Sequence, residues 1–156
     1  MQPNLPAWTT WLFPTVFVLL FIALWAAVCF VISRLSGWTT LSHRFRDVGA
    51  FYSYQWPFQS VRMRTIWGSY SNCVNFGADG TGLYMAVFPL FRPGHPPLFL
   101  PWSEIQVISG NQGFVLKTRK LLLGREELIP LRVRLSLAEK FQRAAGLAWP
   151  IEIIAA

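Results

Sequence analysis

Leu12 to Ser33 reads LFPTVFVLLFIALWAAVCFVIS, 22 residues without a charged side chain. At ~1.5 Å per helical residue the run is about 33 Å long, enough to cross a hydrocarbon core of about 30 Å. Pro14 falls near its start, where a helix tolerates proline because the missing N–H would be unpaired anyway. Trp8 and Trp11 flank the run on one side and Trp38 on the other, as interfacial aromatic anchors do. A core helix of a soluble protein would be shorter and interrupted by polar residues. A cleaved signal peptide would have a basic N-terminal region and a shorter apolar core. Here the first 33 residues contain no Lys or Arg. The stretch therefore predicts one uncleaved transmembrane helix.

The flanks give an orientation. No basic side chain precedes the helix, and Arg34, Arg44 and Arg46 follow it. The positive-inside rule then puts the N-terminus outside and the C-terminal part in the cytoplasm, at the cell (inner) membrane. Ala23 and Ala27 form a small-xxx-small pair that would admit a second helix, a spacing common by chance. Composition agrees with an anchored chain. Of 156 residues, 53% are hydrophobic and 13% charged, against a usual charged share of about 25%. The net charge of +7 lies wholly at or after Arg34, which calls for an anionic neighbour. For a domain held at a bilayer, lipid headgroups are nearer than nucleic acid. The two cysteines, Cys29 and Cys73, fall in different parts of the chain, so no disulfide framework is expected.

Beyond the anchor, Trp38, Leu41 and Phe45 share one face of a short helix, with His43, Arg44 and Arg46 elsewhere. That helix either lies on the membrane surface or packs on the domain that follows. Asp47 to Ser60 is aromatic and reads as a linker that packs down. From Val61 onward, short alternating strands are separated by turn residues, Gly77-Ala78-Asp79-Gly80 being the strongest hairpin signal. Strands are expected at 61–68, 70–76, 83–88, 98–100, 104–109, 114–122 and 128–135. Ser136-Leu137-Ala138-Glu139 then reads as a capping box opening a helix that ends at Gly146. The expected organisation is a tail and anchor (1–35), a juxtamembrane helix and linker (36–60), a β domain with terminal helix (61–147) and a tail (148–156).

This order of elements resembles the pleckstrin-homology-like (PH-like) superfold, including the lipid-facing GRAM and bacterial PH-like domains. The chain is similar to small bacterial membrane proteins that join one anchor helix to such a domain. The residues behind the resemblance are Gly80 through Leu83 leading a strand, Pro101-Trp102-Ser103-Glu104-Ile105 entering another, and the helix from Ser136 to Gly146. It implies about seven antiparallel strands in a curved sheet or barrel, closed by a C-terminal helix. Many PH domains hold phosphoinositides with a lysine-arginine pattern, whereas Arg62 and Arg64 alone occupy the first strand here.

Two regions are candidate binding sites. Phe88 to Trp102, FPLFRPGHPPLFLPW, is stiffened by five prolines and carries Phe88, Leu90, Phe91, Leu98, Phe99 and Trp102. A rigid apolar loop loses little entropy on docking, so it suits a partner protein or a bilayer; the alternative is that it fills the core. Arg92 and His95 at its tip are expected to be exposed in either case. The second region is the hairpin carrying Lys117 and Arg119 on one strand and Arg132 and Arg134 on the other. If opposed residues have an odd index sum, all four cations share a face; if even, they split.

Catalysis finds no support. Seven carboxylates and two histidines form no metalloprotease motif, no Cys/His cluster and no nucleophile elbow, and Gly77, Gly80 and Gly82 join strands instead of opening a dinucleotide site. No enzyme activity, cofactor, metal, nucleic acid or small-molecule substrate is expected. The sequence reads as a membrane-anchored interaction module. Its partners are membrane lipids and other membrane protein subunits, as an accessory or scaffold subunit or else as an anionic-lipid sensor.

Overall fold

The computed structural model describes residues 8–47, 49, 55–64, 68–109 and 118–154. Helix α1 runs from Trp8 to Ser36. Its stretch from Trp11 to Ser36 is long and apolar enough to cross a membrane, with mean hydropathy 2.9. Pro14 lies inside the helix, not at its first turn. Gly37, at φ 85°, turns the chain into helix α2 (Trp38–Phe45). Glycine is required at this turn: a Cβ would meet Ile129 Cδ1 at 2.7 Å.

Eight strands follow: β1 (Trp56–Met63), β2 (Ser69–Ala78), β3 (Gly82–Val87), β4 (Leu98–Pro101), β5 (Ile105–Ser109), β6 (Thr118–Leu123), β7 (Ile129–Arg134) and β8 (Glu152–Ile154). They form one sheet in the order β4-β3-β2-β1-β7-β6-β5-β8, curled into a half-barrel. Seven strands pair antiparallel as the sequence leads one to expect; β8 adds a parallel edge beside β5, with Val107 opposite Glu152. That eighth strand makes the sheet mixed. The first strand starts at Trp56, within the stretch read as linker, and stops at Met63. Strand alternation produces the two faces. Val61, Met63, Leu121, Leu123, Leu131 and Val133 point inward and are buried.

Helix α3 (Leu135–Ala145) closes the half-barrel, burying Leu137, Ala138, Phe141 and Ala145. Phe141 stacks between Trp56 and Phe76, at 5.3 and 5.2 Å. The helix starts two residues earlier than the capping-box reading. Arg134 takes the N-cap position and no side chain caps the end, so Ser136 lies inside the helix. Its C-terminus is at Gly146, as expected. The β2–β3 turn is fixed by the Asp79 carboxylate, which accepts from Thr81 N at 2.7 Å and Gly82 N at 3.1 Å. The Trp102 indole closes over this turn through Asp79 O at 2.7 Å.

Helix α2 packs on the domain. Trp38 and Leu41 belong to the core, and Arg46 bridges to Leu98 of β4. This resolves the two readings of that helix in favour of packing on the sheet. Gly37 alone separates α1 from α2, so the buried α2 ties α1 directly to the core.

Candidate functional site

One face of α1 is covered by the domain. Trp25, Cys29, Ser33 and Ser36 recur at helical spacing, and Cys29, Ser33 and Ser36 are buried. The loop between β3 and β4 supplies most of the cover. Trp25 Nε1 donates to Leu90 O at 3.1 Å, and its ring meets Phe91 at 5.3 Å between centroids. Lower down, Gly94 lies so close to α1 that a Cβ would be 3.1 Å from Phe30 Cα. Ser33 Oγ donates to Gly94 O.

The joint ends in a buried polar chain. Pro93 O is only an acceptor, so His95 Nδ1 carries the proton and donates to it at 3.1 Å. His95 Nε2 then accepts from the Tyr70 hydroxyl at 2.8 Å, and Tyr70 Oη shares a hydrogen bond of 2.8 Å with Ser36 Oγ, which also donates to Ser33 O at 3.1 Å. Trp38 flanks both rings and donates its indole N–H to Pro96 O at 2.9 Å. Burial pushes the His95 imidazole below the ordinary histidine range and the Tyr70 hydroxyl above the ordinary phenol range. Neither group is charged at neutral pH, as a dry joint requires.

These contacts correct one expectation. His95 is 2% exposed, a structural member of the joint and not a loop-tip residue. Arg92 is exposed. Leu98 and Trp102 are core residues, and Phe99 stacks half-buried on Tyr84 at 4.6 Å. Phe91 is spent on α1. The apolar loop therefore leaves only Phe88 and Leu90 for anything outside the chain.

The hairpin cations sort by register. Lys120 lies opposite Arg132, Thr118 opposite Arg134 and Arg119 opposite Val133, an even index sum, so the four named cations do not share one face. Arg119 falls on the face of Val133 and is ion-paired to Glu152 of β8. Lys117 lies outside the described residues. Arg132 and Arg134 face outward, where Arg132 meets Lys120 on one side and Arg62 on the other. The outer face thus carries a row Ser69–Arg62–Arg132–Lys120 across four strands, with Arg134 two residues along β7.

Like charges directly opposite one another on a sheet destabilise it. Among the described residues, the ion pairs are Arg44–Glu126, Arg64–Glu127, Arg119–Glu152 and Arg125–Glu104. None involves the row. Beside it, β1 and β7 pair over only two residues and then part, opening a cleft of ≈ 290 Å³. Arg62, Arg132 and Arg134 line it together with the hydroxyls of Ser60, Ser69, Ser71 and Thr118. Guanidinium forks and hydroxyl donors are the groups that bind phosphate oxygens.

The cleft lies near the point where α1 leaves the domain. A Cβ on Gly68, next to Ser69, would be 3.1 Å from Ser36 Cβ. Of the interfacial residues, Arg34 is exposed on the last turn of α1, Arg44 pairs with Glu126, and Arg46 is exposed beside β4. Trp11 is exposed and Trp38 is buried in the joint instead of flanking the helix in lipid. Sequence reading missed Lys120 and the hydroxyls, because which residues face one another is set by register. Arg62 was visible as an outward position of its strand. Among the described residues, no cluster of His, Cys, Asp and Glu is arranged to hold a metal ion. No protein-family model, no curated protein and no solved structure matches this chain.

Proposed function

We propose that the chain is a non-enzymatic, membrane-anchored PH-like module that holds the phosphodiester of an anionic lipid headgroup in the cleft between β1 and β7. The observation that carries this is the unpaired row Arg62–Arg132–Lys120, kept beside hydroxyls at the end of the sheet that α1 enters. Each cation near a charged membrane contributes about 1 kcal/mol, so the row and Arg134 together offset their mutual repulsion only when an anion is present. Crossing of the bilayer by α1 rests on its length and apolarity, and the cytoplasmic side on Arg34, Arg44 and Arg46. The seven antiparallel strands followed by α3 support the PH-like reading.

The test uses the full chain in nanodiscs of mixed anionic and zwitterionic lipid. Native mass spectrometry should find anionic lipid retained preferentially, and the pair Arg62→Glu and Arg132→Glu should abolish the preference. Equal retention of both lipids by the wild type would refute the reading.

A role as accessory subunit of a larger membrane assembly keeps one observation of its own. Leu147, Ile151 and Ile153 are exposed around β8, the parallel strand at the sheet's open edge. Capture of the full chain from native membranes in mild detergent, with stoichiometric recovery of defined subunits, would favour that role.

A further inference from the structure

We infer that the rim formed by Phe58, Phe88 and Leu90 is immersed in the bilayer at the boundary of headgroups and acyl chains, as an apolar wedge beside α1. The inference rests on the reading of α1 as a membrane-crossing helix and adds to it a second point of insertion.

The first support is height along α1. Every residue from Trp11 to Leu24 is exposed, and that stretch spans about 20 Å at ~1.5 Å per residue. A hydrocarbon core of about 30 Å therefore extends about 10 Å further, past Trp25 and Val28 to the neighbourhood of Phe30. Val28, Phe30 and Val31 are exposed on the uncovered side of the helix, as lipid-facing residues are. On the covered side, the same depth is occupied by the turn Pro89–Phe91, whose Leu90 O receives the Trp25 indole N–H. The rim thus reaches the level of acyl chains, within the ~5–10 Å typical of interfacial insertion.

The second support is the rim's surface. Leu90 is 61% exposed, Phe58 56% and Phe88 37%, with the two phenyl rings 5.8 Å apart. Phe58 has φ 52°, in the left-handed region that bulky side chains avoid, at an irregularity in the β1–β2 register. The backbone strain costs the same in either medium, while the outward-turned ring is unfavourable in water and favourable in lipid.

The third support is the backbone. Phe88 N donates to Cys73 O, Phe91 N to Phe88 O and Arg92 N to Pro89 O, while Pro89 has no N–H. Phe58 N is held by Asn75 Oδ1 at 3.0 Å. Chain that enters a bilayer must satisfy its polar groups internally, as these four N–H groups do. Along β1 the order is then Phe58, Ser60, Arg62: apolar, hydroxyl, cation, with Ser60 about 7 Å and Arg62 about 13 Å below the ring. That is the order of acyl chain and then headgroup layer, the level at which Arg62 meets a phosphodiester.

The test is depth measurement on the full chain in lipid vesicles. Single cysteines replace Leu90, Phe58, Val18 and Gly80 in a Cys29→Ala, Cys73→Ala background that unfolds thermally like wild type. Each carries a nitroxide whose collisions with oxygen and with a water-soluble nickel chelate are compared. Labels at 90 and 58 should favour oxygen severalfold, as at 18, while the label at 80 favours the chelate. If 90 and 58 favour the chelate while 18 favours oxygen, α1 is inserted and the wedge is refuted. If 18 also favours the chelate, the anchor reading fails and the wedge with it. Two rim positions keep the result independent of any one variant.

Discussion

Arg132→Glu should make the protein more stable and worse at holding anionic lipid. Arg132 lies directly opposite Arg62 on one side and Lys120 on the other, and no carboxylate among the described residues neutralises any of the three. Opposed side chains on a sheet start about 5 Å apart at Cβ, well inside a Debye length of about 8–10 Å. A carboxylate at 132 turns two repulsions into two attractions. Cross-strand charge pairs are each worth about 0.2–1 kcal/mol, so at these exposed positions the gain should be about 1 kcal/mol in low salt. For a chain of this size that raises Tm by about 3–5 °C. The same change removes one cation and adds one anion at the cleft, a loss of about 2 kcal/mol towards anionic lipid, or roughly thirtyfold in relative affinity. Thermal unfolding in neutral detergent gives the first number, and lipid competition in nanodiscs the second. Arg132→Gln should give about half of each, and both effects should shrink in 1 M salt. A fall in Tm would refute the account of the row as an unsatisfied cation ladder. An unchanged lipid preference would refute its role in binding.

Tyr70→Phe removes the hydroxyl between Ser36 and His95 and leaves two buried partners short of a bond, which should cost about 2 kcal/mol and lower Tm by about 6–8 °C. Ser36→Ala added to it should cost little more, because both changes break the same chain; full additivity would show that the chain does not act as a unit. His95 has a folded pKa below its unfolded value, so the unfolded chain takes up the proton first. Its share of stability is complete above pH ~6.5 and falls away as pH drops below that value. Thermal midpoints between pH 7.5 and 5.5 should therefore decline more steeply in wild type than in His95→Asn. Gly94→Ala should separate α1 from the loop, since Gly94 has φ 75° and its Cβ would crowd Phe30 at 2.8 Å. The expected result is faster hydrogen exchange at the loop amides of Arg92 and His95 and a Tm lower by about 5 °C; no change would mean that α1 moves freely there.

The parts legible in the sequence were those governed by local chemistry. An uncharged apolar run marked α1, alternation and turn residues marked seven strands, the first displaced by five residues, and Gly146 ended α3. What the sequence did not disclose was decided by contacts between distant segments. Strand β8 is three residues long and exists only because β5 offers a free edge. The face on which Lys120 and Arg119 point depends on the parity of one pairing register, which no local pattern specifies. The prolines of 88–102 marked a stiff loop, yet only the fold shows that its His95 is buried against Tyr70. A trace of the joint was present all the same. Ser33 and Ser36 are polar residues at the end of an apolar helix, on the side shared by Trp25 and Cys29.

That joint also turns α1 into a lever arm. The contact between helix and domain runs from Trp25 to Ser36, about 16 Å of axis, and Gly37 alone separates α1 from the buried α2. Helices in bilayers tilt by about 20° on average, and more when the bilayer is thin. A rigidly attached domain of this size, about 25 Å across, would then swing at its far edge by about 9 Å for such a tilt. On the proposal that α1 crosses a bilayer, membrane thickness would thereby be converted into the angle at which β8 and its exposed isoleucines meet the surrounding water.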